Sequence, residues 1–319
     1  MKIRNRPKPL PLQKLDAAIP RLSPQFPKLP EMNRDAKKQG SGYSGETKVD
    51  YHLETLASRY TILDDVYLHT NGKNFQIDSA VVTNHGIFIV DTKNYNGTIT
   101  FDTILNQLTR SDGGIESGYE YPITQVENHK FLLQNWLQQR NLSHIPIYYF
   151  VAIADPATII QVNGNKEEIA NIVAHAARIP KMIMDKDQEF AQAGKTKLKN
   201  YQIGNAILRE CGTFDIDIVR KYGITRNDLL PGVFCPACGF RGMKRLHGGW
   251  ICRKCRHKSY NAHWRDLDNY LLLFGSITNT ECMWLLGLTS RYTATRILQK
   301  SGLIYLKEHK CWIRKKGIY

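Results

Sequence analysis

Residues 75–93 (FQIDSAVVTNHGIFIVDTK) constrain the fold more than any other part of this chain. Two arms rich in Ile, Val and Phe flank residues 84–86 (NHG), which have the composition of a tight turn, so the sequence predicts a β-hairpin. Acidic residues interrupt arms that otherwise suit a buried sheet. Asp78 lies within the first arm, and Asp91 ends the second arm together with Lys93.

The length of the turn decides which of these polar side chains meet. A two-residue loop places Asp78 opposite Asp91, and the same register places Gln76 opposite Lys93. A three-residue loop separates these side chains unless a bulge brings them back. In either register Asp91 and Lys93 share one face of their strand, because side chains alternate along it.

Two carboxylates at a cross-strand distance repel each other unless a cation lies between them. Hard oxygen ligands suit Mg²⁺ or Mn²⁺, and such an ion polarises a phosphoryl oxygen and lowers the pKa of a bound water. A neighbouring lysine orients that water or stabilises the developing charge. The alternative is that Asp78, Asp91 and Lys93 are strand-end polar residues in an ordinary ion pair. The spacing alone leaves both interpretations open.

A helix is predicted over residues 41–60, directly before the hairpin. Its buried stripe recurs at helical spacing and comprises Val49, Leu53, Leu56 and Tyr60. Glu46 projects from the same face, so we expect its carboxylate to point at the sheet. The alternative is that Glu46 only interacts with the helix dipole.

Three blocks in this order carry a resemblance to a known family: residues 42–46 (GYSGE), 76–78 (QID) and 91–97 (DTKNYNG). Over roughly residues 40–155 the chain resembles the nuclease-related domain (NERD) family. That family is related to the restriction-endonuclease-like, PD-(D/E)xK, superfamily of metal-dependent nucleases. The resemblance suggests a bacterial setting, and it does not by itself guarantee cleavage.

The resemblance implies roles for five residues. Glu46, Asp78 and Asp91 would hold the catalytic metal, and Lys93 would be the catalytic lysine. The family more often has Glu where Asp91 stands, a change that alters the distance to a metal. A glutamine in the helix that follows accompanies the metal cluster in the family. Gln125 is therefore predicted to support the site, with a solvent-facing amide as the alternative.

The remaining elements complete an expected α/β fold. We expect further strands within residues 97–108, a Gly-rich loop over 111–118, a helix opening at Pro122, and a buried strand over 145–154. Helix, three strands, helix, strand is the order of the restriction-endonuclease-like core, a mixed sheet flanked by helices. Residues 167–178 are predicted helical, and residues 185–222 largely so.

Charge is distributed unevenly. The chain carries a net charge of +15, of which residues 1–40 contribute +7 and residues 231–319 contribute +12, leaving −4 for the centre. Basic flanks around an acidic centre favour a nucleic-acid partner, with DNA the expected form, although basic residues also serve solubility. Residues 1–40 hold seven of the thirteen prolines and are predicted to be a disordered basic tail. No apolar stretch suits a membrane span or a signal peptide, which predicts a cytoplasmic protein without a membrane partner.

A second strong signal is a pair of CxxC motifs, Cys235/Cys238 and Cys252/Cys255, separated by thirteen residues. This spacing predicts a four-thiolate Zn²⁺ site of zinc-ribbon type, and disulfides are the disfavoured alternative. Four protein ligands leave no open position, so the zinc would be structural. Basic residues surround the motif and favour phosphate contact: Arg241, Lys244, Arg245, Arg253, Lys254, Arg256 and Lys258.

The C-terminal region resembles a helix-turn-helix followed by a wing. Thr278 and Glu281 form a capping box, Ser290 caps the next helix, and residues 303–314 suggest a hairpin. The outward face of the second helix offers side chains that suit DNA contact: Arg291, Tyr292, Thr295 and Arg296. The alternative is an ordinary helical pair with a hairpin.

These expectations divide the chain into a basic tail, a nuclease-related domain, a helical linker, a zinc ribbon and a winged-helix-like α+β module, at residues 1–40, 41–180, 181–230, 231–260 and 261–319. The expected function is a metal-dependent nuclease that uses Mg²⁺ or Mn²⁺, with C-terminal modules that bind the substrate. The competing expectation is a non-catalytic DNA-binding regulator or adaptor built on a degenerate nuclease fold.

Overall fold

The computed structural model describes residues 1–315, which form two compact units. Unit 1 comprises Met1–Pro9 with Lys38–Phe214, and unit 2 comprises Leu10–Lys37 with the chain from Asp215 onward. The helices are α1 (Leu10–Ala18), α2 (Leu29–Leu53), α3 (Pro122–Gln138), α4 (Lys166–Ile172), α5 (Ile179–Gln192), α6 (Asn200–Glu210), α7 (Ile218–Tyr222), α8 (His263–Phe274), α9 (Asn279–Leu286) and α10 (Arg291–Lys300).

The strands of unit 1 are β1 (Lys2–Arg4), β2 (Thr61–Thr70), β3 (Lys73–Val82), β4 (Ile87–Lys93), β5 (Thr98–Asp102), β6 (Gln107–Asp112), β7 (Ile115–Tyr119), β8 (Ile147–Ile153), β9 (Ile159–Asn163) and β10 (Val173–His175). The strands of unit 2 are β11 (Lys244–Leu246), β12 (Gly249–Ile251), β13 (Lys258–Ser259), β14 (Ser276–Ile277), β15 (Ile304–Leu306) and β16 (Cys311–Ile313).

The main sheet of unit 1 is mixed and has the order β1-β2-β3-β4-β8-β10. Strands β2, β3 and β4 run antiparallel, whereas β4, β8 and β10 run parallel. Alternate residues of β3 and β4 face opposite sides. Ala80 and Ile89 pack with residues of α3 and α6, and Val81 and Phe88 pack with residues of α2 and α5. The predicted mixed sheet flanked by helices is therefore confirmed.

The predicted hairpin is confirmed with a two-residue loop. Val82 pairs with Ile87, and the Thr83 N–H donates to the Gly86 carbonyl over 2.9 Å. The helix before the hairpin begins earlier than expected, at Leu29, and a 3₁₀ turn over Glu54–Leu56 follows its end. The stripe predicted for this region is buried throughout: Val49, Leu53, Leu56 and Tyr60.

A second sheet in unit 1 has the order β7-β6-β5-β9. The predicted Gly-rich loop over 111–118 is instead the β6–β7 hairpin, which turns at Gly113 and Gly114 with φ of +59° and +85°. Glycine adopts these left-handed conformations without a steric penalty, so the two residues make a turn between strands. The predicted helix over 167–178 is shorter, since α4 ends at Ile172 and β10 follows.

The prediction that residues 1–40 are disordered is wrong. β1 pairs in parallel with β2, and α1 and the start of α2 occupy most of the remainder. Leu15 and Met32 are fully buried in the core of unit 2. The apolar partners of this segment lie about two hundred residues later in the sequence, for example Leu229 and Leu267. The segment itself therefore shows no local hydrophobic periodicity from which its burial could be predicted.

Unit 2 has one hydrophobic core in place of the separate zinc-ribbon and helix-turn-helix domains predicted at 231–260 and 261–319. Trp250 and Cys252 belong to the same buried cluster as Leu267, Leu285 and Trp312. Its two small sheets have the orders β11-β12-β13 and β14-β16-β15. The predicted linker over 181–230 also differs, because α5 and α6 belong to unit 1 and α7 to unit 2. None of the helices within residues 1–315 is both long and apolar enough to cross a bilayer.

Candidate functional site

The end of β4 brings Asp91 and Lys93 together, as expected for residues on one strand face. Asp91 is 3% exposed, and Lys93 Nζ lies 2.8 Å from its Oδ2. The contact is a buried ion pair between the two side chains. Burial raises the pKa of Asp91, and the Lys93 charge opposes that rise. Burial lowers the pKa of Lys93, but Asp91 and Asp78 outweigh it, so Lys93 remains an ammonium group.

Asp78 lies where β3 loses its regular pairing. The β3–β4 register runs from Val82↔Ile87 to Ser79↔Val90 and stops before the pair expected next, Asp78 with Asp91. The Thr92 N–H instead donates to Asp78 Oδ2 over 2.8 Å. This hydrogen bond directs the Asp78 carboxylate to the end of β4, where Thr92 directly follows Asp91.

On its other side, β3 also skips a pair with β2. Asp64 pairs with Ser79 and Val66 pairs with Ile77, but the intervening Asp65 has a left-handed φ of +55°. Gln76 does not lie opposite Lys93 as predicted. Its Nε2 donates to Asp65 Oδ1 over 2.7 Å, because β3 before Ser79 pairs only with β2.

Helix α2 carries Glu46, and the residue before it, Gly45, lies close to Asn94 after the end of β4. A Cβ on Gly45 would lie 2.5 Å from the Asn94 Cβ, so only glycine allows α2 to approach the end of β4 this closely. The Asn94 side chain also donates to the Ser41 carbonyl over 2.8 Å. Burial raises the pKa of Glu46 to about 7, and the charge of Asp78 adds to the rise. The Asp78 charge therefore acts on the Glu46 carboxylate.

Gln125 reaches the site from the first turn of α3. The Lys93 Nζ donates to Gln125 Oε1 over 2.8 Å, so the amide contacts the lysine and is not merely solvent-facing. One helical turn later lies His129, which the sequence analysis missed. Burial lowers the pKa of His129, and the charges of Asp78 and Lys93 act on it in opposite directions. Its spacing of four residues from Gln125 on α3 was the available signal.

Another missed residue is Arg6, whose Nη1 donates to Glu46 Oε2 over 2.7 Å. Arg6 lies in the segment predicted to be disordered, so no local pattern connects it to Glu46.

The chemistry of these carboxylates fits a hard divalent cation. The buried Asp91 carboxylate pairs with Lys93, and burial together with repulsion by Asp78 raises the pKa of both Asp91 and Glu46. A divalent ion would relieve that repulsion. The carboxylates do not form a closed ligand set by themselves. Within residues 1–315, only the four cysteines form a group of three or more Cys, His, Asp or Glu ligand atoms all within 4.8 Å.

The four cysteines of unit 2 converge as predicted. Their Sγ atoms lie within 4.8 Å of one another, with 3.6 Å between Cys235 and Cys255 and 3.6 Å between Cys238 and Cys252. A tetrahedral zinc with Zn–S bonds of about 2.3 Å separates its sulfurs by about 3.8 Å. The observed spacing matches that geometry and is far beyond a disulfide bond of about 2.05 Å. A Cys₄ cluster that fits Zn²⁺ is therefore present.

Two equivalent turns build this cluster. The Cys235 carbonyl accepts the Gly239 N–H, and the Cys252 carbonyl accepts the Arg256 N–H. Gly239 and Arg256 both adopt left-handed φ, +70° and +63°. The Cys255 N–H donates to Cys252 Sγ and lowers the pKa of that thiol. A backbone hydrogen bond with His257 lowers the pKa of Cys255, but the neighbouring Cys238 thiol and burial raise it overall, so the cluster favours one thiolate over the other.

The basic residues predicted to contact nucleic acid differ in solvent exposure and in the contacts that their side chains already make. Exposed side chains around the Cys₄ cluster are Lys244, Arg253, Lys254, Arg256 and Lys258. Arg241 is half-buried. Arg245 is also half-buried and is occupied, since it lies over the Trp250 ring and donates to the Gly249 carbonyl.

Helix α10 shows a similar division. Arg291, Tyr292 and Arg296 are exposed, and the Arg296 guanidinium lies 5.6 Å from the centre of the Tyr292 ring. Thr295 is half-buried, and its hydroxyl hydrogen-bonds to Asn279 of α9 and to the Arg291 carbonyl. The capping box at Thr278 and the cap at Ser290 are present as predicted.

Comparison with known proteins agrees with these geometric findings. Residues 41–154 match the family model described as the nuclease-related domain, NERD. A protein of Bacillus anthracis, itself described as uncharacterized, is 29% identical over 129 residues, which is 40% of this chain and 59% of that relative. The chain thus spans less than two thirds of the relative's length. No solved structure matches the chain. Residues 41–154, which hold the C-terminal part of α2, the hairpin, α3 and β8, therefore match the nuclease-related domain, and their mixed sheet flanked by helices is a restriction-endonuclease-like fold.

Proposed function

We propose that this protein is a metal-dependent nuclease that hydrolyses phosphodiester bonds of nucleic acid, with DNA as the expected substrate. The observation that carries the proposal is the arrangement at the end of β4. Asp91 and Gln125 both contact Lys93 there, and the Asp78 carboxylate accepts a hydrogen bond from Thr92, the residue between Asp91 and Lys93. These residues lie within the segment that matches the nuclease-related domain.

The residues divide the chemistry among them. Asp78, Asp91 and Glu46 would hold Mg²⁺ or Mn²⁺, which supplies Lewis acidity toward the phosphoryl oxygen and lowers the pKa of a bound water. The Lys93 ammonium stabilises negative charge that develops on the phosphate, and its raised pKa suits that role better than proton abstraction. Gln125 fixes Lys93 Nζ from α3 and so positions the charge before substrate arrives.

Unit 2 is proposed to hold the substrate. It contains 24 Lys and Arg against 10 Asp and Glu, whereas unit 1 contains 20 against 19, so nearly all of the net positive charge belongs to unit 2. Such an excess favours phosphate binding. The Cys₄ cluster would carry structural Zn²⁺, and α9, α10 and the β15–β16 hairpin would act as a winged-helix-like module. A binding module on the same chain raises the local concentration of substrate at the nuclease.

A cytoplasmic location belongs to the same proposal. The cysteines of the cluster are free thiols, and a reducing compartment keeps such thiols available to zinc.

One observation favours the competing function, a non-catalytic binder on a degenerate nuclease fold. The three carboxylates do not close into a ligand set, and Asp91 pairs internally with Lys93. In that case unit 2 would bind DNA while unit 1 serves as a scaffold or adaptor.

The test is cleavage of linear, circular and single-stranded DNA with Mg²⁺, Mn²⁺ or EDTA. Lys93→Ala and Asp78→Ala are expected to lower metal-dependent cleavage by about 10²–10³-fold or more while DNA binding persists. Lys73→Ala, at the exposed start of β3, is the matched control and should cut normally. Normal cutting by Lys93→Ala would show that the catalytic assignment is wrong. Intact DNA binding without cleavage by the wild-type protein would favour the binder.

A further inference from the structure

The N-terminal arm, residues 1–9, places a buried arginine between two elements of the nuclease-related domain. The Arg6 side chain is 3% exposed. Its Nε donates to Asp50 Oδ2 over 2.8 Å and its Nη2 donates to Asp50 Oδ1 over 2.9 Å. Such a two-point contact fixes the plane of the guanidinium against α2.

The other donors of Arg6 reach residues that the proposed chemistry uses. Nη1 donates to Glu46 Oε2 over 2.7 Å, and Nη2 donates to the Asp78 backbone carbonyl over 2.7 Å. Nη2 also lies within hydrogen-bond distance of Ser79 Oγ, at 3.0 Å. A single guanidinium therefore joins α2, which carries Glu46, to the point of β3 where Asp78 departs from regular pairing.

Electrostatics make this contact hard to replace. Burial lowers the pKa of Arg6, but the hydrogen bonds that Arg6 donates to Asp50 and the charges of Glu46, Asp50 and Asp78 more than offset it, so the group stays charged. Without Arg6, these carboxylates would be left mutually repelling in a partly buried place. A lysine restores the charge, but its single ammonium cannot form the planar fork that Asp50 and Glu46 share.

The rest of the arm is anchored on residues other than the proposed metal ligands. Lys2 Nζ lies 2.7 Å from Asp64, and Arg4 Nη2 lies 3.3 Å from Asp65. Arg4 Nε also donates to the Asp64 and Asp65 carbonyls over 2.9 Å and 3.0 Å. Arg4 is thus an arginine of the same arm, similarly well bonded, whose hydrogen bonds go to residues other than Glu46 and Asp78.

We propose that Arg6 is a positioning residue of the nuclease centre, which orients Glu46 through Oε2 so that Oε1 is presented toward the metal, and which fixes the backbone of Asp78 relative to α2. This inference rests on the proposed function. It extends the centre beyond residues 41–154, the part that matches the nuclease-related domain, because the orienting group comes from the N-terminal arm.

The experiment measures Mn²⁺ binding by calorimetry on the full-length, zinc-saturated protein, together with DNA cleavage as a function of Mn²⁺ concentration. The variants are Arg6→Ala and Arg6→Lys, with Arg4→Ala and Arg4→Lys as matched controls and Asp78→Ala to identify the site-specific binding. Thermal unfolding of each variant separates loss of the arm from loss of orientation.

Arg6→Ala is expected to weaken Mn²⁺ binding and raise the half-saturating Mn²⁺ concentration for cleavage at least tenfold, with a smaller loss of rate at saturation. Arg6→Lys should recover part of the affinity, and Arg4→Ala should bind Mn²⁺ like the wild type. If Arg6→Ala fails to fold, the comparison of Arg6→Lys with Arg4→Lys replaces it: Arg6→Lys should bind Mn²⁺ more weakly than Arg4→Lys.

Equal Mn²⁺ affinity in the Arg6 and Arg4 variants would overturn the inference while leaving the proposed function intact. Tighter Mn²⁺ binding in Arg6→Ala would overturn it as well, because it would make Arg6 a cation that competes with the metal. Wild-type Mn²⁺ binding that persists in Asp78→Ala would overturn the proposed function and this inference together.

Discussion

The two candidate metal centres of this molecule are built in opposite ways. In unit 2, four cysteines from two adjacent turns already lie within 4.8 Å of one another. In unit 1, carboxylates from α2, β3 and β4 are held by internal cations, with Lys93 on Asp91 and Arg6 on Glu46. Thiols lose little when they gather without a metal, whereas buried carboxylates repel and need compensating charge. A zinc ion in the first centre would therefore stabilise a fold, whereas the proposed second centre would suit exchangeable ions.

The largest effect is expected from breaking the Cys₄ cluster. Cys252→Ser should abolish zinc retention and locally unfold the β11–β13 region, because Cys252 lies fully buried in the core of unit 2 and structural zinc contributes about 10–16 kcal/mol in isolated fingers. Zinc content by mass spectrometry of the native protein, with circular dichroism, checks this. Cys211→Ser, in unit 1, should keep full zinc content. Unchanged zinc in Cys252→Ser would refute the four-cysteine site.

The next effect tests whether the carboxylate centre depends on close packing. Gly45→Ala should destabilise unit 1 by roughly 1–3 kcal/mol and weaken Mn²⁺ binding, because its new methyl group would meet Asn94 and displace Glu46. Gly40→Ala, in the same helix with nothing within 4 Å, should instead stabilise the protein by about 0.5–1 kcal/mol. Chemical denaturation measures both. Equal free energies of unfolding and equal Mn²⁺ affinities in the two variants would contradict the inference that Gly45 positions Glu46.

A smaller effect is expected at the lysine. Gln125→Ala removes the 2.8 Å hydrogen bond to Lys93, so the maximal cleavage rate should fall roughly tenfold while zinc content and DNA affinity stay unchanged. Asn128→Ala, exposed on the same helix, is the comparison and should cut at the wild-type rate. A wild-type rate in Gln125→Ala would favour the reading of Gln125 as a dispensable amide.

The smallest effect distinguishes the centres by pH. The pKa of Glu46 is raised to about 7 and that of Asp91 is raised as well, so without metal both groups keep their proton to a higher pH than exposed carboxyl groups do. The stability that the folded protein gains by holding these protons is present at low pH and is lost as the pH rises through about 7. A metal ion, in contrast, binds the ionised carboxylates. The affinity for Mn²⁺ should therefore increase from pH 5.5 to pH 8, and the thermal stabilisation by Mn²⁺ should increase with it. The affinity should rise by up to about tenfold per pH unit for each proton that Mn²⁺ binding releases. Glu46→Gln should show a flatter profile, and a wild-type profile that is already flat would contradict the assignment.

Much of this architecture was predictable from the sequence because its causes are local. The turn at Asn84 and His85 set the register of β3 and β4, and helical spacing identified the buried stripe from Val49 to Tyr60. The CxxC spacing predicted the Cys₄ cluster because each turn presents two sulfurs without help from the remainder of the chain.

The sequence by itself therefore determined the hairpin, the buried stripe of the helix before it and the cysteine cluster. Tertiary structure alone decided that Arg6 contacts Glu46, that Gln125 contacts Lys93, and that Gln76 bonds to Asp65. It also decided that residues 10–37 pack with a core formed two hundred residues later. Local spacing fixes which side chains share one face of an element, but contacts between elements depend on how separate segments exclude water and compensate buried charge together.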